Sequence, residues 1–352
     1  MAQTVASFDA AHGAPIHDAQ LDFYGKRLAT ASADNSIRIW DVSTETPQFL
    51  CELLGHDGPV WQVAWAHPKF GNLLASCSYD KRVIVWKEAR NGAFEPCYRH
   101  EEHQASVNSC AFAPAECGLH LVCGSSDGQV SVLSYRPESS GWESKSFEAH
   151  AAGVNAVGFS CPLGEGEAGL QNLNIVTGGC DTDVSVWKWG VQLHQWEPTN
   201  PRFPKGHEKW VRDVAWRPGS SSSTNMIASC AEDGMVILWS QDSPNSQWGP
   251  VHQEKLGEPV WRVSWSITGS LLAASFGDNQ TVLFKEALNG SWEKVTDIDE
   301  TGVKLPPPPP MGAGVGDGMG VPDGGMGGGM TGLGADSGAQ YPSEADILSS
   351  FQ

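Results

Sequence analysis

The first candidates for chemistry in this chain are five histidines, each followed by an aspartate 22 to 31 residues later. An imidazole beside a carboxylate can transfer protons or bind a metal ion. Metal ligands must converge on one ion, however, whereas these pairs recur along the whole chain. We therefore expect each pair to form a structural hydrogen bond. The pairs are His12–Asp34, His56–Asp80, His103–Asp127, His150–Asp181 and His207–Asp233.

A second candidate is the run GSSDG at residues 124–128, which matches the G-x-S-x-G pattern around the nucleophilic serine of hydrolases. That pattern needs a turn from a strand into a helix, but Asp127 is one of the recurring aspartates, so we predict that Ser126 lies in an ordinary turn. No phosphate-binding loop, dinucleotide fingerprint or zinc-protease motif occurs, and we expect no catalytic residue, metal or cofactor. Two isolated pairs have metal-compatible spacing, namely His100/His103 and Cys117/His120.

The recurring aspartates mark an internal repeat. Successive ones lie 45 to 54 residues apart, close to the period of four-stranded propeller blades. Each unit contains alternating segments such as VWQVAW, NLLASCS and RVIVW, and ends on a fourth, for example VQLHQW at 191–196. The sequence thus predicts an all-β chain of six four-stranded units. Each aspartate precedes an aromatic or apolar residue by six positions, in the pairs Asp34/Trp40, Asp80/Trp86, Asp127/Leu133, Asp181/Trp187, Asp233/Trp239 and Asp278/Phe284.

The net charge limits the partners of the protein. The 352 residues carry a formal charge of −19, with a pI near 4.8. Phosphate and anionic lipid are also negative, so we expect no direct binding to nucleic acid and membrane contact only through partners. The N-terminus lacks the apolar run of a signal peptide, and no stretch of 18 apolar residues occurs. We therefore expect the protein in the cytosol or nucleus.

The repeat resembles the WD40 family over residues 12–298. The resemblance implies a β-propeller in which the histidine, a second-strand Ser or Thr, the turn aspartate and a third-strand Trp form a buried hydrogen-bond chain. The third unit departs from the pattern at Cys123 and Leu133, and the sixth at Leu256, Ala274 and Phe284, so these blades must rely on apolar packing. In the other four units the implied network residues are His12, Thr30, Asp34, Trp40, His56, Ser76, Asp80, Trp86, His150, Thr177, Asp181, Trp187, His207, Ser229, Asp233 and Trp239.

Longer segments narrow this resemblance. AWAHPKFG and GHEKWVRDVAWRP are not required by the generic repeat, and they are similar to small propellers shared by the COPII outer coat and the Y-shaped complex of the nuclear pore. The resemblance implies a non-enzymatic scaffold in the cytoplasm, on COPII vesicles and the endoplasmic reticulum membrane, and at the nuclear pore. The implied partners are an α-solenoid coat subunit, an α-solenoid nucleoporin and further subunits of the Y-shaped complex. A role in a vacuolar nutrient-signalling complex is also implied.

The opening residues, MAQTVASFD, contain one strand more than six complete units need. In most WD40 proteins an N-terminal strand completes the last blade, but the sixth unit already has a fourth strand, SWEKVTDI. The resemblance implies an open six-bladed propeller that a partner completes with a seventh blade. The alternative is that six blades close on themselves and residues 4–8 are a frayed end. In the open form, the residues expected to contribute to the shared blade are Thr4, Val5, Ala6, Ser7 and Phe8.

The chain thus divides into an N-terminal strand at 1–11, a propeller at 12–301 and a Pro/Gly-rich tail at 302–352 that we expect to be disordered. Near the end of the tail, EADILSSF places Ile347, Leu348 and Phe351 on one helical face. This is typical either of a short docking motif or of incidental apolar residues. The rival functions are a closed propeller acting as a peptide-binding adaptor, an enzyme with a convergent polar site, and the related nuclear-pore propeller.

Overall fold

The structure, a computed structural model, describes residues 8–162, 169–199, 203–219, 225–243, 246–299 and 302–304. Within these ranges the chain forms β-strands and short 3₁₀ helices but no α-helix. The strands form six antiparallel sheets, each built from strands that follow one another along the chain. We call the sheets blades one to six. The predicted all-β class and the six units are confirmed; five sheets have the predicted four strands, and the sixth has one more.

The first three blades cover the N-terminal half of the propeller. Blade one contains β1 (Ile16–Leu21), β2 (Arg27–Ser32), β3 (Ser36–Asp41) and β4 (Gln48–Leu54). Blade two contains β5 (Val60–Trp65), a 3₁₀ helix (Pro68–Phe70), β6 (Leu73–Ser78), β7 (Val83–Glu88) and β8 (Phe94–His100). Blade three contains β9 (Val107–Phe112), a 3₁₀ helix (Ala115–Cys117), β10 (His120–Ser125), β11 (Gln129–Arg136) and β12 (Gly141–Glu148).

The last three blades repeat this order. Blade four contains β13 (Val154–Phe159), a 3₁₀ helix (Leu170–Asn172), β14 (Asn174–Gly179), β15 (Val184–Gly190) and β16 (Gln195–Pro198). Blade five contains β17 (Val211–Trp216), β18 (Asn225–Ala231), β19 (Met235–Gln241) and β20 (Gly249–Lys255). Blade six contains β21 (Val260–Trp265), β22 (Leu271–Phe276), β23 (Gln280–Glu286), β24 (Trp292–Asp299) and β25 (Gly302–Lys304).

The polarity of a strand's sequence follows from the position of that strand in its blade. Middle strands between two blades are covered on both faces, and β6, with the sequence LLASCS, is buried along its whole length. Outer strands face solvent, and β20, with the sequence GPVHQEK, contains no fully buried residue. The first strands of consecutive blades contact one another around the central axis, and we call them the inner strands.

The recurring aspartates lie at the turn from the second to the third strand of each blade. In blade two, Asp80 Oδ1 accepts a hydrogen bond from the backbone N–H of Arg82 at 2.9 Å, which closes the turn. The residue after the aspartate has a positive φ in all six blades, a conformation that Gly and Asn adopt most readily. These residues are Asn35, Lys81, Gly128, Thr182, Gly234 and Asn279.

Apolar cores lie between consecutive blades. Each core packs alternate residues of the second and third strands of one blade against the inner strand of the next. Between blades two and three, for example, Val83 of β7 shares a core with Val107 of β9. Five such cores join the six blades in order. In the described part of the chain, no core joins blade six back to blade one.

Two predicted boundaries differ from those in the structure, one at the fourth strand of blade four and one at the start of the tail. The fourth strand of blade four is Gln195–Pro198 rather than the predicted 191–196, because residues 191–194 form a turn in which His194 has a φ of 50°. The predicted tail begins at residue 302, but Gly302–Lys304 forms β25, which pairs antiparallel with β24. The sheet of blade six therefore extends three residues into the predicted tail.

The close approach of blades four and five can be tested by substituting a glycine that lies between them. A β-carbon at Gly178 would lie 2.6 Å from Cγ1 of Val211, so Gly178→Ala is expected to lower the free energy of unfolding by about 1–3 kcal/mol through overpacking. Gly158→Ala, in the same blade, is the matched control, since its β-carbon would lie 3.5 Å from Val176. Urea unfolding measures both changes. Equal stability of the two variants would contradict the described packing.

Candidate functional site at the open face of the ring

The structure brings the residues of the implied hydrogen-bond network together in three blades. In blade two, His56 Nδ1 lies 2.9 Å from Asp80, and His56 Nε2 lies 2.8 Å from Ser76 Oγ. Trp86 Nε1 donates to the same Ser76 oxygen at 2.9 Å. These hydrogen bonds connect the residues just before the inner strand to the turn and to the third strand. Blades four and five contain the same arrangement, formed by His150, Asp181, Thr177 and Trp187, and by His207, Asp233, Ser229 and Trp239.

Blade one contains an incomplete version of this network. His12 lies 2.9 Å from Asp34 and 2.8 Å from Thr30. The buried Nε1 of Trp40, however, has no hydrogen-bond partner among the described residues. The ring of Trp40 instead packs against aromatic side chains, one of which is Phe49 of β4. Three of the four network residues thus hydrogen-bond in blade one.

Blades three and six lack the complete hydrogen-bond network, at the positions where their sequences differ from the repeat pattern. In blade three, the buried Cys123 replaces the hydroxyl residue, and Nε2 of His103 has no partner. Burial lowers the pKa of His103, although Asp127 opposes this shift. The neutral imidazole is therefore favoured there. In blade six the three substituted residues belong to or pack against the apolar core with blade five, and they are Leu256, Ala274 and Phe284.

The turn carboxylates act as structural acceptors. Burial raises the pKa of Asp80, but hydrogen bonds from His56 and from the backbone N–H of Asp57 outweigh it and hold that pKa below its ordinary value. The pKa values of Asp181 and Asp233 are lowered in the same way. These groups stay charged at neutral pH and orient the histidines.

The isolated metal-like pairs do not converge. The rings of His100 and His103 meet edge to face at 5.2 Å, and His120 Nε2 lies 3.0 Å from the carbonyl oxygen of Cys117, not from its thiol. Ser126 lies in the turn between β10 and β11. Over the residues that the structure describes, no group of three or more His, Cys, Asp or Glu side chains could hold a metal ion. The same residues include no helix long and apolar enough to cross a membrane.

A second set of contacts links the inner strands. At four of the five junctions, the third residue of one inner strand accepts a hydrogen bond from a backbone N–H of the next. The fifth junction has Ala156 at this position, which offers no side-chain acceptor. The four bonds run from Val63 N to Asp18 (3.1 Å), Cys110 N to Gln62 (2.9 Å), Val157 N to Ser109 (3.1 Å) and Val263 N to Asp213 (3.0 Å).

The sixth inner strand has Arg262 at the same position, and it connects back to blade one. Its Nη2 lies 3.8 Å from Oδ1 of Asp18, across the junction that has no core. Desolvation raises the pKa of Asp213, on the neighbouring strand, to about 6 against the attraction of Arg262. Desolvation also disfavours the charge of Arg262, but Asp18 and Asp213 keep its pKa above the usual value. A long charged side chain thus spans the open junction.

The first residue of each inner strand shows which face of blade one is uncovered. In blades two to six this residue is a valine that is fully buried in the core with the preceding blade. In blade one it is Ile16, which is 45% exposed, and Leu21 on the same strand is 40% exposed. Within the described ranges, blade one therefore has no neighbouring blade on this face. The five buried residues are Val60, Val107, Val154, Val211 and Val260.

The opposite face of the junction, on blade six, is more polar than its equivalents. The third residue after the turn aspartate is aliphatic and buried in blades one to five, but it is the partly exposed Thr281 in blade six. Ser275, the cross-strand neighbour of Thr281, is also partly exposed. The residues that occupy the position of Thr281 in the other blades are Ile37, Val83, Val130, Val184 and Val236.

A pocket of about 550 Å³ opens on this face of blade six. Its walls include Trp261, Ser275, Thr281 and Ile298. Trp261 is 43% exposed, and its indole N–H donates to the carbonyl of Gly277 at 3.2 Å. A large aromatic side chain held in place beside small polar residues is suited to packing against another chain. We call the two uncovered surfaces, on blades one and six, the open faces.

Phe8, at the start of the described residues, packs on blade one in the way that the connection from one blade packs on the next blade. Phe8, four residues before the first network histidine, packs on Trp40 with ring centroids 5.0 Å apart. Phe203, at the same distance before the histidine of blade five, packs on Trp239 at 4.9 Å. Phe203 belongs to the connection from blade four, so Phe8 occupies the place of a connection from a blade before blade one. The other predicted residues, Thr4 to Ser7, lie outside the described residues.

The network can be tested at its carboxylate. Asp80→Asn is expected to cost about 1–3 kcal/mol at pH 7, because buried hydrogen bonds lose a charged acceptor. Since the folded pKa of Asp80 is lowered, its contribution is present above the unfolded pKa of about 3.9 and is lost as pH falls through the folded value. The control is Asp278→Asn, at the exposed turn of blade six, expected to stay within about 0.5 kcal/mol. Equal losses in urea unfolding would contradict the assignment.

The charged link can be tested by the pH dependence of stability. Arg262→Met is expected to raise the pKa of Asp213 above its value of about 6. A carboxyl whose folded pKa is raised contributes stability that is present below the unfolded pKa and lost as pH rises through the folded one. The variant should therefore lose more stability than the wild type between about pH 5 and pH 8. Arg90→Met, at an exposed site, should follow the wild type. Parallel curves for all three proteins would refute the coupling.

Comparison with known proteins agrees with this geometry. The family described as WD domain, G-beta repeat matches residues 3–41, 47–87, 94–133 and 199–240. The Protein SEC13 homolog of Drosophila melanogaster is 41% identical over 323 residues, which cover 88% of this chain and 88% of that protein. The Protein transport protein sec13 of Emericella nidulans is 42% identical over 315 residues, covering 85% of this chain and all (100%) of that protein.

A more distant fungal relative extends the comparison. The Protein transport protein SEC13 of Mycosarcoma maydis is 37% identical over 353 residues, which cover 85% of this chain and 96% of that protein. These similarities run along nearly the full length of the relatives and include blades that the repeat family does not match. The chain therefore belongs to the SEC13 family of WD40-repeat proteins.

Proposed function

We propose that this protein is a non-enzymatic structural subunit of the COPII vesicle coat, acting in transport from the endoplasmic reticulum to the Golgi. In this proposal an α-solenoid coat subunit donates a seventh blade that covers both open faces. The observation that carries the proposal is the exposure of Ile16, at a position that is fully buried in the other five blades. Relatives named as protein transport proteins support the assignment to vesicle transport.

The donated blade would act through surface burial and backbone pairing together. Covering the exposed parts of Ile16 and Leu21 would contribute about 1 kcal/mol each, since fully burying such a side chain contributes roughly 1.5–3 kcal/mol. On the other side, the pocket beside Trp261 would receive side chains of the donor. Three donated strands would leave room for a fourth, which residues 4–8 would supply by β-augmentation.

The proposal extends to other assemblies built on α-solenoids. An α-solenoid nucleoporin of the Y-shaped nuclear-pore complex would donate a blade to the same open faces, and further subunits of that complex would bind around it. A vacuolar nutrient-signalling complex would use the protein in the same way. Because the described blades leave one pair of open faces, each copy would hold one donor at a time, so these partners would compete for it.

The charge of the protein supports an indirect route to membranes. With a net charge of −19, the chain is repelled by anionic headgroups. The partners would therefore hold it on the cytoplasmic side of the endoplasmic reticulum membrane, on coated vesicles or at the pore, with no direct contact to nucleic acid. A closed propeller acting as a peptide adaptor is less consistent with the structure, because closure would require the exposed residues of blade one to be covered.

Single charges on blade surfaces would test the donated blade. Ile16→Glu is expected to weaken binding of the α-solenoid coat subunit at least tenfold, because a carboxylate would be buried without a partner. Val251→Glu is the matched control, since Val251 lies on the outer strand β20 and is similarly exposed, at 51%. Titration calorimetry with each purified variant measures the affinities.

Both variants should keep the stability of the wild type when isolated, because both side chains are exposed without a partner. Unchanged affinity of the Ile16→Glu variant, or equal weakening by both substitutions, would contradict blade donation at this face. The wild-type stability of the isolated variants, checked by thermal unfolding, separates a binding defect from a folding defect.

A further inference from the structure

A second pocket, of about 620 Å³, lies at the ends of blades three and four, away from the open faces. Its walls combine the half-buried rings of Phe70, Tyr135 and Trp189 with the cationic side chains of Arg136 and Lys145. The loops between first and second strands and between third and fourth strands surround it. We call it the basic pocket.

The basic pocket differs in charge from the rest of the protein. The chain has 41 acidic and 22 basic residues, yet among the residues that the structure describes no Asp or Glu lines this pocket. Lys145 Nζ lies 4.6 Å from the centroid of the Trp189 ring and donates to the carbonyl of His194 at 3.3 Å. Arg136 pairs with Glu143 at 2.9 Å. The ammonium of Lys145 is thus held over an aromatic face without a carboxylate partner among the described residues.

Exposed apolar side chains lie in the turn that contributes His194 to the pocket wall. The turn at residues 191–194 leads from β15 to β16, and its Val191 and Leu193 are 60% and 65% exposed. Aromatic rings, a cation and neighbouring exposed aliphatic side chains together suit a short peptide that carries both carboxylates and large apolar residues.

We propose that the basic pocket binds the acidic and apolar segment at residues 343–352 of this same chain, SEADILSSFQ. The carboxylates of Glu344 and Asp346 would face Lys145 and Arg136, and Ile347, Leu348 and Phe351 would pack against the aromatic walls and the adjacent turn. The segment supplies the carboxylates that complement the cations of the pocket, and large apolar side chains that match its aromatic walls.

The connecting chain is long enough for this docking. The 38 residues 305–342 join β25 to the segment, and a Gly-rich chain of this length has a root-mean-square span of roughly 35 Å. A domain of this size has a radius of gyration of roughly 19 Å, so the segment can reach a blade on the far side. Tethering gives an effective concentration in the mM range, so weak intrinsic affinity suffices for occupancy.

A labelled peptide would test the docking on the full-length protein. A fluorescein-labelled peptide of residues 343–352 is titrated into a full chain whose own segment is disabled by Ile347→Ser, Leu348→Ser and Phe351→Ser, and anisotropy reports binding. Saturable binding is expected. Adding Lys145→Glu should weaken it at least tenfold, whereas Lys255→Glu, the same charge change on β20 of blade five, should leave it unchanged.

The intact chain separates docking in cis from simple peptide binding. Its own segment competes for the pocket, so the wild type should bind the peptide at least fivefold more weakly than the serine variant. Absence of binding up to about 1 mM, insensitivity to Lys145→Glu, or equal binding by the wild type and the serine variant would each overturn the proposal. The exposed position of Lys145 leaves the fold intact, which circular dichroism verifies.

Discussion

Each blade of this protein needs a neighbour on both of its faces, and the rest of the structure depends on this requirement. The middle strands consist of apolar and small residues that are buried only when another sheet covers them. In the part of the chain that the structure describes, the six blades of the open ring make five covered junctions and leave one pair of faces without a neighbouring blade. Ile16 and Thr281 lie on those faces. Uncovered sheets attract other chains, and a donated blade would use that property to make a specific interface.

Two layers of polar contacts hold the strands in place, one within each blade and one between blades. Within a blade, the chain from His56 to Trp86 fixes the inner strand against the turn and the third strand. Between blades, short side chains such as Asp18 accept backbone N–H groups directly. At the open junction the corresponding contact is the longer ion pair of Arg262 with Asp18, at 3.8 Å.

Much of this architecture can be predicted from the sequence, because each repeat contains a characteristic turn residue, the aspartate between its second and third strands. The recurring Asp positions predict the six second-to-third-strand turns, and the segments around them predict four strands per blade. The strand β25 was missed because Gly302–Lys304 pairs only through its backbone with β24, which composition does not reveal. The role of Arg262 was missed because it depends on contact with Asp18, at the far end of the chain. Thr281 could have been recognised from the sequence, since aliphatic residues occupy its position in the other five blades and a polar residue there indicates an uncovered face.

Hydrogen exchange of residues 4–8 is the most direct test of whether a partner completes the ring. A donated blade would place this segment in a sheet as its fourth strand, so its amides should exchange quickly in the isolated protein and slow at least a hundredfold with the α-solenoid partner. The amides of β6, buried in both states, serve as the internal reference. If residues 4–8 are already protected in the isolated protein and the partner changes nothing, the ring closes by itself and blade donation is contradicted.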